Sequence, residues 1–450
     1  MKNVIYILLS IIFLVKCSDM ETKWVVKCEP AGPGNYRING ISSLRTDNYI
    51  TGTYWISDKK PVCITAKYSE KGELLWHTVY EAQDFISAKG YAIRAITSEI
   101  IDIKHEIFVL AQTVDSKGFN AMVLVKYDSL GNLLWDKIVQ RSRGMVTGAL
   151  INDYLNNLYV AGWTDQSTDS KEIFIAKYRP SGDLIWQSKY QNQNLSFDTL
   201  RFCIGKNGQF IIAGVQKQTD DFFYMKYDSL GKFINFIEHE TLGNTSSIAD
   251  VQTDENGNVY VLGTTNNNET SKDYVILMYN QKDSLILEKF IDGPAHQDDI
   301  ANALVLEESA AESLFIFVIG SSMNEVGIEE VLTVKYAQSG EQIWTKTFKG
   351  RKDEPAEPLQ RAPYLICPSC NTDRTNFYIT GYVGDDVLVL KHSTRGFISW
   401  FTRYSTPGAI NRPTAFKGSC VAIESKTERG TDACLMKFGK AEQLGIIRWD

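Results

Sequence analysis

Lys126-Tyr127-Asp128-Ser129-Leu130-Gly131-Asn132-Leu133-Leu134-Trp135 decides the fold of this chain, because both halves of it recur in phase along most of the length. The Lys-aromatic half returns as Lys67-Tyr68, Lys177-Tyr178, Lys226-Tyr227, Lys335-Tyr336, Lys391-His392 and Lys437-Phe438, with Met278-Tyr279 as a diverged copy. The second half sets a tryptophan four residues after a glycine: Gly72 with Trp76, Gly131 with Trp135, Gly182 with Trp186, Gly340 with Trp344, Gly396 with Trp400 and Gly445 with Trp449. Two copies have lost the tryptophan, since Gly231 is followed by Asn235-Phe236 and Asp283 by Leu287. Between Lys67 and Lys437 the repeat averages about 53 residues.

Upstream of each lysine lies a β-branched and aromatic run ending in a small residue, such as Leu158-Tyr159-Val160-Ala161-Gly162, Val259-Tyr260-Val261-Leu262-Gly263 or Phe377-Tyr378-Ile379-Thr380-Gly381. Runs this short, bounded by Asn, Asp, Gly and Ser, predict strands. Another short run precedes each, as at Ile248-Ala249-Asp250-Val251-Gln252, and turn residues such as Asn256-Gly257 join the two. One repeat is therefore four strands, at the spacing of a propeller blade. A lone four-stranded sheet exposes both faces, and only radial packing buries them, so the ring has to close. The expected fold is all-β, an eight-bladed β-propeller of four-stranded antiparallel blades, with a seven-bladed ring as the alternative. Trp24-Val25-Val26-Lys27-Cys28 is left over, and is expected to pair beside the last blade and fasten the ring.

The six repeat tryptophans (Trp76, Trp135, Trp186, Trp344, Trp400, Trp449) hold one offset in every blade, so symmetry spreads them around the ring. Packing is their expected role. A buried Trp removes about 150–250 Å² from water, roughly 4–6 kcal/mol each as an upper figure.

The blade resembles the bacterial β-propeller repeat family, which reads roughly Gly-Asn-x-Tyr-x-x-Gly, Asp-x-x-x-x-Lys-Tyr and Gly-x-Leu-Leu-Trp. Asn157 to Trp186 and Glu106 to Trp135 carry the likeness best. It implies the propeller fold and is nearly silent on activity. The Gly-x-x-x-Trp turn is also similar to the tryptophan-docking motif of eight-bladed quinoprotein dehydrogenases and of the lipoprotein subunit of the outer-membrane barrel-assembly machine. Asp128 to Gly131 and Asp228 to Gly231 fit it loosely. The quinone-binding relatives carry an adjacent-cysteine pair, which this chain lacks, and no cofactor is expected.

The N-terminus reads as an export signal: Lys2 precedes an apolar run from Val4 to Val15, too short to span a bilayer comfortably. Leu14-Val15-Lys16-Cys17 resembles the lipobox of bacterial lipoproteins, which implies lipidation at Cys17, although Lys16 departs from the small residue usual there. The expected organisation is a signal peptide over 1–16, a tether over 17–22 and one propeller over 23–450. Without Lys2 and Lys16, 45 basic residues face 54 acidic ones, moving the net charge from −7 to −9. That balance, with no basic stripe, argues against nucleic acid as a partner.

Of the remaining cysteines, Cys420 and Cys434 fall nearly opposite on one hairpin, where a disulfide is an expectation. Cys367-Pro-Ser-Cys370 reads as a local disulfide or inert thiols, with a metal half-site or a redox pair as the competing readings. The five histidines (His77, His105, His239, His296, His392) lack metal-ligand spacing, and no nucleophile elbow or phosphate-cradling loop occurs. Asp254 to Asn258 has a passing likeness to a calcium loop but is expected to be a hairpin turn.

The long polar segments 291–300, with His296, Asp298 and Asp299, and 349–362 mark the rim where propellers commonly meet ligands. The leading functional expectation is a non-enzymatic lipoprotein of the bacterial cell envelope, binding a protein or glycan partner through one rim and meeting the membrane through its lipid alone. An assembly scaffold of an outer-membrane complex is the second reading. A hydrolase or lyase using rim carboxylates such as Asp298 and Asp299 is the third.

Overall fold

Consecutive strands of one repeat pair antiparallel, and the pairing registers set the repeat in three dimensions. A computed structural model describes residues 20–55, 60–81, 85–97, 105–144, 146–165, 171–192, 195–241, 246–267, 271–308, 314–327, 329–348, 365–367, 376–383, 385–417, 419–428 and 430–440. After β1 (Met20–Lys27), blade one comprises β2 (Asn35–Leu44), β3 (Asp47–Trp55), β4 (Pro61–Tyr68) and β5 (Leu74–Tyr80). Blade two is β6 (Phe85–Thr97), β7 (His105–Asp115), β8 (Asn120–Tyr127) and β9 (Leu133–Ser142). Blade three is β10 (Val146–Asn152), β11 (Leu158–Asp165), β12 (Lys171–Tyr178) and β13 (Leu184–Gln191). Blade four is β14 (Leu200–Ile204), β15 (Phe210–Val215), β16 (Phe222–Tyr227) and β17 (Phe233–His239). Blade five is β18 (Ser247–Thr253), β19 (Val259–Asn267), β20 (Ser271–Tyr279) and β21 (Leu285–Ile291). Blade six is β22 (Asp299–Glu308), β23 (Leu314–Met323), β24 (Glu329–Ala337) and β25 (Gln342–Phe348). Blade seven is β26 (Leu365–Cys367), β27 (Asn376–Val383), β28 (Asp386–Ser393) and β29 (Ile398–Tyr404). Blade eight takes β30 (Ile410–Lys417), β31 (Cys420–Thr427) and β32 (Gly430–Lys440), with β1 as its fourth strand.

The fold is thus an all-β propeller of eight four-stranded antiparallel blades, as the repeat count predicted. Eight apolar clusters among the described residues occupy the eight blade-to-blade interfaces. The one holding Tyr36, Ile50 and Ile64 of blade one with Ala422 and Leu435 of blade eight closes the ring. Radial stacking is what buries both faces of each sheet.

The outer strands of blades one to seven begin with a bulge, and in five of them a tryptophan sits opposite the repeat lysine: Lys67 with Trp76, Lys126 with Trp135, Lys177 with Trp186, Lys335 with Trp344 and Lys391 with Trp400. The indoles of Trp76, Trp135, Trp186 and Trp344 then lie on the turn glycine of the following blade. A Cβ on Gly131 would meet the Trp76 ring at 2.8 Å, and one on Gly182 the Trp135 ring at 2.9 Å. These turn glycines hold φ between +82° and +93°, a region a side chain would strain even without the ring above it. Trp76 Nε1 donates to Ser129 O at 3.0 Å, and Trp186 Nε1 to Ser229 O at 3.1 Å.

Blade eight obeys the same rule through the other end of the chain. Trp24 opposes Lys437 across the same bulge, lies 2.8 Å from a Cβ built on Gly72, and donates Nε1 to Glu70 O at 2.7 Å. The N-terminal strand fastens the ring as expected, but as the fourth strand of blade eight rather than an addition to it. The docking indole of blade eight is therefore Trp24. Trp449, to which the Gly-x-x-x-Trp spacing assigned that part, lies outside the described residues.

The repeat lysines are interior struts. Lys67 Nζ lies 2.8 Å from Asp47, Lys126 Nζ 2.6 Å from Glu106 and Lys177 Nζ 3.2 Å from Asp153, each acid belonging to the same blade. Lys126 also donates to Pro180 O of the next blade at 2.8 Å. Burial without such partners would cost several kcal/mol, which is why lysine and acid recur together.

One expectation needs correcting. Cys420 and Cys434 are free thiols: Cys420 opposes Lys437 and Cys434 opposes Ile423, an odd offset that sends them to opposite sheet faces. Cys420 enters the core shared with blade one and Cys434 the core shared with blade seven. Cys367 opposes Tyr378 in register, while Cys370 and Cys17 lie outside the described residues.

Candidate functional site

The antiparallel order divides the ring into two unlike faces. Turns between first and second strands, and between third and fourth, lie on one face, where the indoles dock. They are short, and a side-chain oxygen caps them repeatedly: Asp128 Oδ1 accepts from the Leu130 and Asn132 N–H groups, and Asp228 Oδ1 from those of Leu230 and Lys232. Asp254 belongs to this set, accepting from Asn258 N at 2.8 Å and Tyr260 OH at 3.0 Å, so the segment with a likeness to a calcium loop is a hairpin turn. The opposite face carries the connections from second to third strands and the crossings from one blade to the next.

On that loop face, the crossing from blade five to blade six gathers three carboxylates. Asp273 is the third residue of β20, Asp299 opens β22 and Asp292 begins the crossing between β21 and β22. One oxygen from each lies within 4.8 Å of the others. Asp273 and Asp299 are fully buried, and Asp292 faces solvent. Gly293 N–H donates to Asp299 Oδ2, and Asp299 Oδ1 is buried without a hydrogen-bond partner among the described residues. A Cβ on Gly293 would strike Ser322 Oγ at 2.2 Å and Asp299 Oδ1 at 2.6 Å, so the crossing can approach this closely only through glycine.

Burial pushes the Asp299 carboxyl up to about 7, reinforced by the charges of Asp273 and Asp292 and opposed by the Ser322 hydroxyl and the Gly293 N–H. Above them His296, with φ +52°, bonds Asp292 through Nδ1, and that carboxylate raises the imidazole above its ordinary range. Asp298 turns elsewhere: its Oδ2 is 3.9 Å from Lys272 Nζ and its Oδ1 accepts from Lys272 N. Segment 291–300 was legible from its polarity and length, and Asp299 and His296 with it. Asp292 lies in that segment but was not singled out, and Asp273 carried no sequence signal, because it lies 26 positions before Asp299, across a hairpin. Segment 349–362 lies outside the described residues.

Among the described residues, the channel-lining first strands hold one further perturbed acid. Asp250, pushed up to about 6 by burial, accepts from Val251 N at 2.8 Å and from Leu304 N of blade six at 3.0 Å. It stitches neighbouring first strands, as the Ser42 hydroxyl does by accepting from Ala95 N at 2.9 Å. Among the histidines, His105 Nδ1 bonds Tyr49 OH at 2.6 Å, His239 Nε2 lies 3.2 Å from Glu288, and His392 is buried between aromatic rings.

Several solved structures are similar to the chain at low identity. The β-propeller domain of the Trilobed protease from Pyrococcus furiosus is 12% identical with a TM-score of 0.44, over 76% of this chain and 95% of that one. Polysaccharide lyase Uly1 is 9% identical with a TM-score of 0.41, over 89% of each chain. A puromycin hydrolase mutant is 9% identical with a TM-score of 0.45, over 86% of this chain and 58% of that one. No family model matches the chain, and no curated protein sequence does. The class of protein defined here is set by the fold, a β-propeller.

Proposed function

We propose that this propeller is a lipid-anchored binding module of the bacterial cell envelope that presents its loop face to a protein or glycan partner. The observation that carries this reading is where the chain enters the ring. Met20 pairs with Lys440 and Lys27 with Cys434, so β1 starts on the turn face and runs toward the loop face. A lipid on Cys17 would sit a few residues from that start, hold the turn face toward the bilayer and leave the loop face outward. The turn face also bears strongly exposed apolar tips, Leu130 and Leu230 at 73% and 78%, suited to a membrane-facing side. The likeness to the bacterial β-propeller repeat family and to the lipobox agrees with this arrangement.

Two measurements test it. Metabolic labelling with an alkyne fatty acid should tag the wild-type protein and lose the tag in Cys17→Ser. A photo-crosslinking residue at Val326, exposed on the loop face, should capture a partner in intact cells, whereas the same residue at Leu130 should not. Adducts from Leu130 alone would reverse the assignment of faces. The competing reading is a hydrolase or lyase, favoured by Asp299, whose protonation near neutrality suits a general acid. It predicts turnover of a polymer that Asp299→Asn abolishes.

A further inference from the structure

We propose that Asp273, Asp292 and Asp299 form a binding site for one hard divalent cation, calcium in particular, at the loop-face junction of blades five and six. The donor set is oxygen alone at its centre, with the His296 imidazole engaged on the outer side by Asp292. Calcium takes oxygen ligands at about 2.3–2.6 Å, so ligands on opposite sides of it lie up to about 5 Å apart. The separations here, within 4.8 Å, fit that sphere. Magnesium, at about 2.0–2.1 Å, needs its ligands within about 4.2 Å and keeps several waters.

Two further facts point to a ligand rather than a solvated acidic patch. Asp299 is fully buried, and its Oδ1 has no donor among the described residues although Gly293 N–H fixes the other oxygen. A buried carboxylate oxygen left this way costs free energy that a bound cation repays. Second, two fully buried carboxylates and a third acid share one small volume. Of the charged groups beside them, His296 lies on the solvent side of Asp292, and the Lys272 ammonium lies 3.9 Å from Asp298. Like charges this close, out of water, demand either a proton or a metal between them.

The three acids come from the start of a third strand, from the blade crossing and from the start of the next first strand. A cation there would staple the crossing to both blades and stiffen the loop face on which the proposed partner would land. The site does not depend on lipid attachment, so failure of either proposal leaves the other standing.

The test uses the full chain in detergent, stripped with EDTA, dialysed and titrated with CaCl2 or MgCl2 in a calorimeter, with thermal unfolding in parallel. Terbium luminescence, sensitised by Tyr274 beside Asp273, provides a direct site probe. One calcium per chain is expected, with a raised Tm, preference over magnesium, and binding weakened about tenfold or more in Asp292→Asn and lost in Asp273→Asn. Asp298→Asn should bind as wild type does. Asp292 is solvent-facing, so its variant keeps the test valid should the buried substitutions fail to fold. Absence of calcium binding to the folded wild-type protein, or unchanged affinity in Asp292→Asn and Asp273→Asn, would overturn the proposal.

Discussion

His392→Phe should remove a large part of this protein's sensitivity to mild acid. His392 occupies the aromatic position of the blade-seven Lys-aromatic pair, 2% exposed. Its ring is stacked 5.0 Å from Phe377 and 5.7 Å from Trp344, the docking indole of blade six. Nδ1 donates to Ser393 O at 2.8 Å. Burial lowers its pKa from 6.5 to about 4, only partly opposed by that hydrogen bond. The folded protein therefore keeps the imidazole neutral where the unfolded chain would protonate it. The stability this represents is present above about pH 6.5 and is lost as pH falls toward 4. The difference between 6.5 and about 4 corresponds to about 3 kcal/mol. Phenylalanine fills the equivalent place in blade eight as Phe438, so the substitution suits the packing while removing the titration. Urea unfolding of both proteins at intervals from pH 7 to pH 4 measures the effect. The wild-type curve should fall by about 3 kcal/mol more than the variant's over that range. Parallel curves would refute the assignment of a neutral buried imidazole.

Two other perturbations probe the ring. Trp24→Ala takes the indole off Gly72 and the hydrogen bond off Glu70 O; a loss of about 3 kcal/mol is expected, with faster amide exchange in β1 and β32, and unchanged exchange there would exclude β1 as the fastener. At the junction of blades four and five the indole–glycine contact is replaced by a polar lock. Asn235 takes the tryptophan's place and donates to Asp283 Oδ2 at 3.2 Å, while Asp283, at φ +63°, takes the glycine's and also accepts from Lys226 and from Tyr224 OH. Asp283→Gly, which restores the repeat residue and relieves the positive φ, should nonetheless destabilise by about 3 kcal/mol because it strands the Lys226 ammonium, 2% exposed. Adding Lys226→Met should recover most of that loss, and a single variant as stable as wild type would show that the lock contributes nothing.

Much of this molecule is local, and what is local was legible. Strand alternation, the left-handed turn glycines and the lysine–tryptophan register all lie within about 30 residues of each other, so one copy of the repeat carries its own instructions and eight copies carry the ring. The candidate site was half legible, because His296 and Asp299 sit in one conspicuous polar segment, whereas Asp273 joins them only through a folded hairpin. The disulfide expectation failed for a related reason. Sequence offset placed Cys420 and Cys434 nearly opposite, but an odd register difference separates them by the full thickness of the sheet.

By itself, then, the amino-acid sequence determined the strands, their pairing within a blade and the number of blades, since those rest on near-neighbour backbone and side-chain rules. Only the tertiary structure decided which of two tryptophans closes the circle. Trp24 and Trp449 suit an outer strand alike, and the choice of Trp24 depends on a strand from the far end of the chain reaching β32. The same holds for the acidic cluster. Electrostatic cost is set by distance and burial, and neither exists until blades five and six are packed side by side.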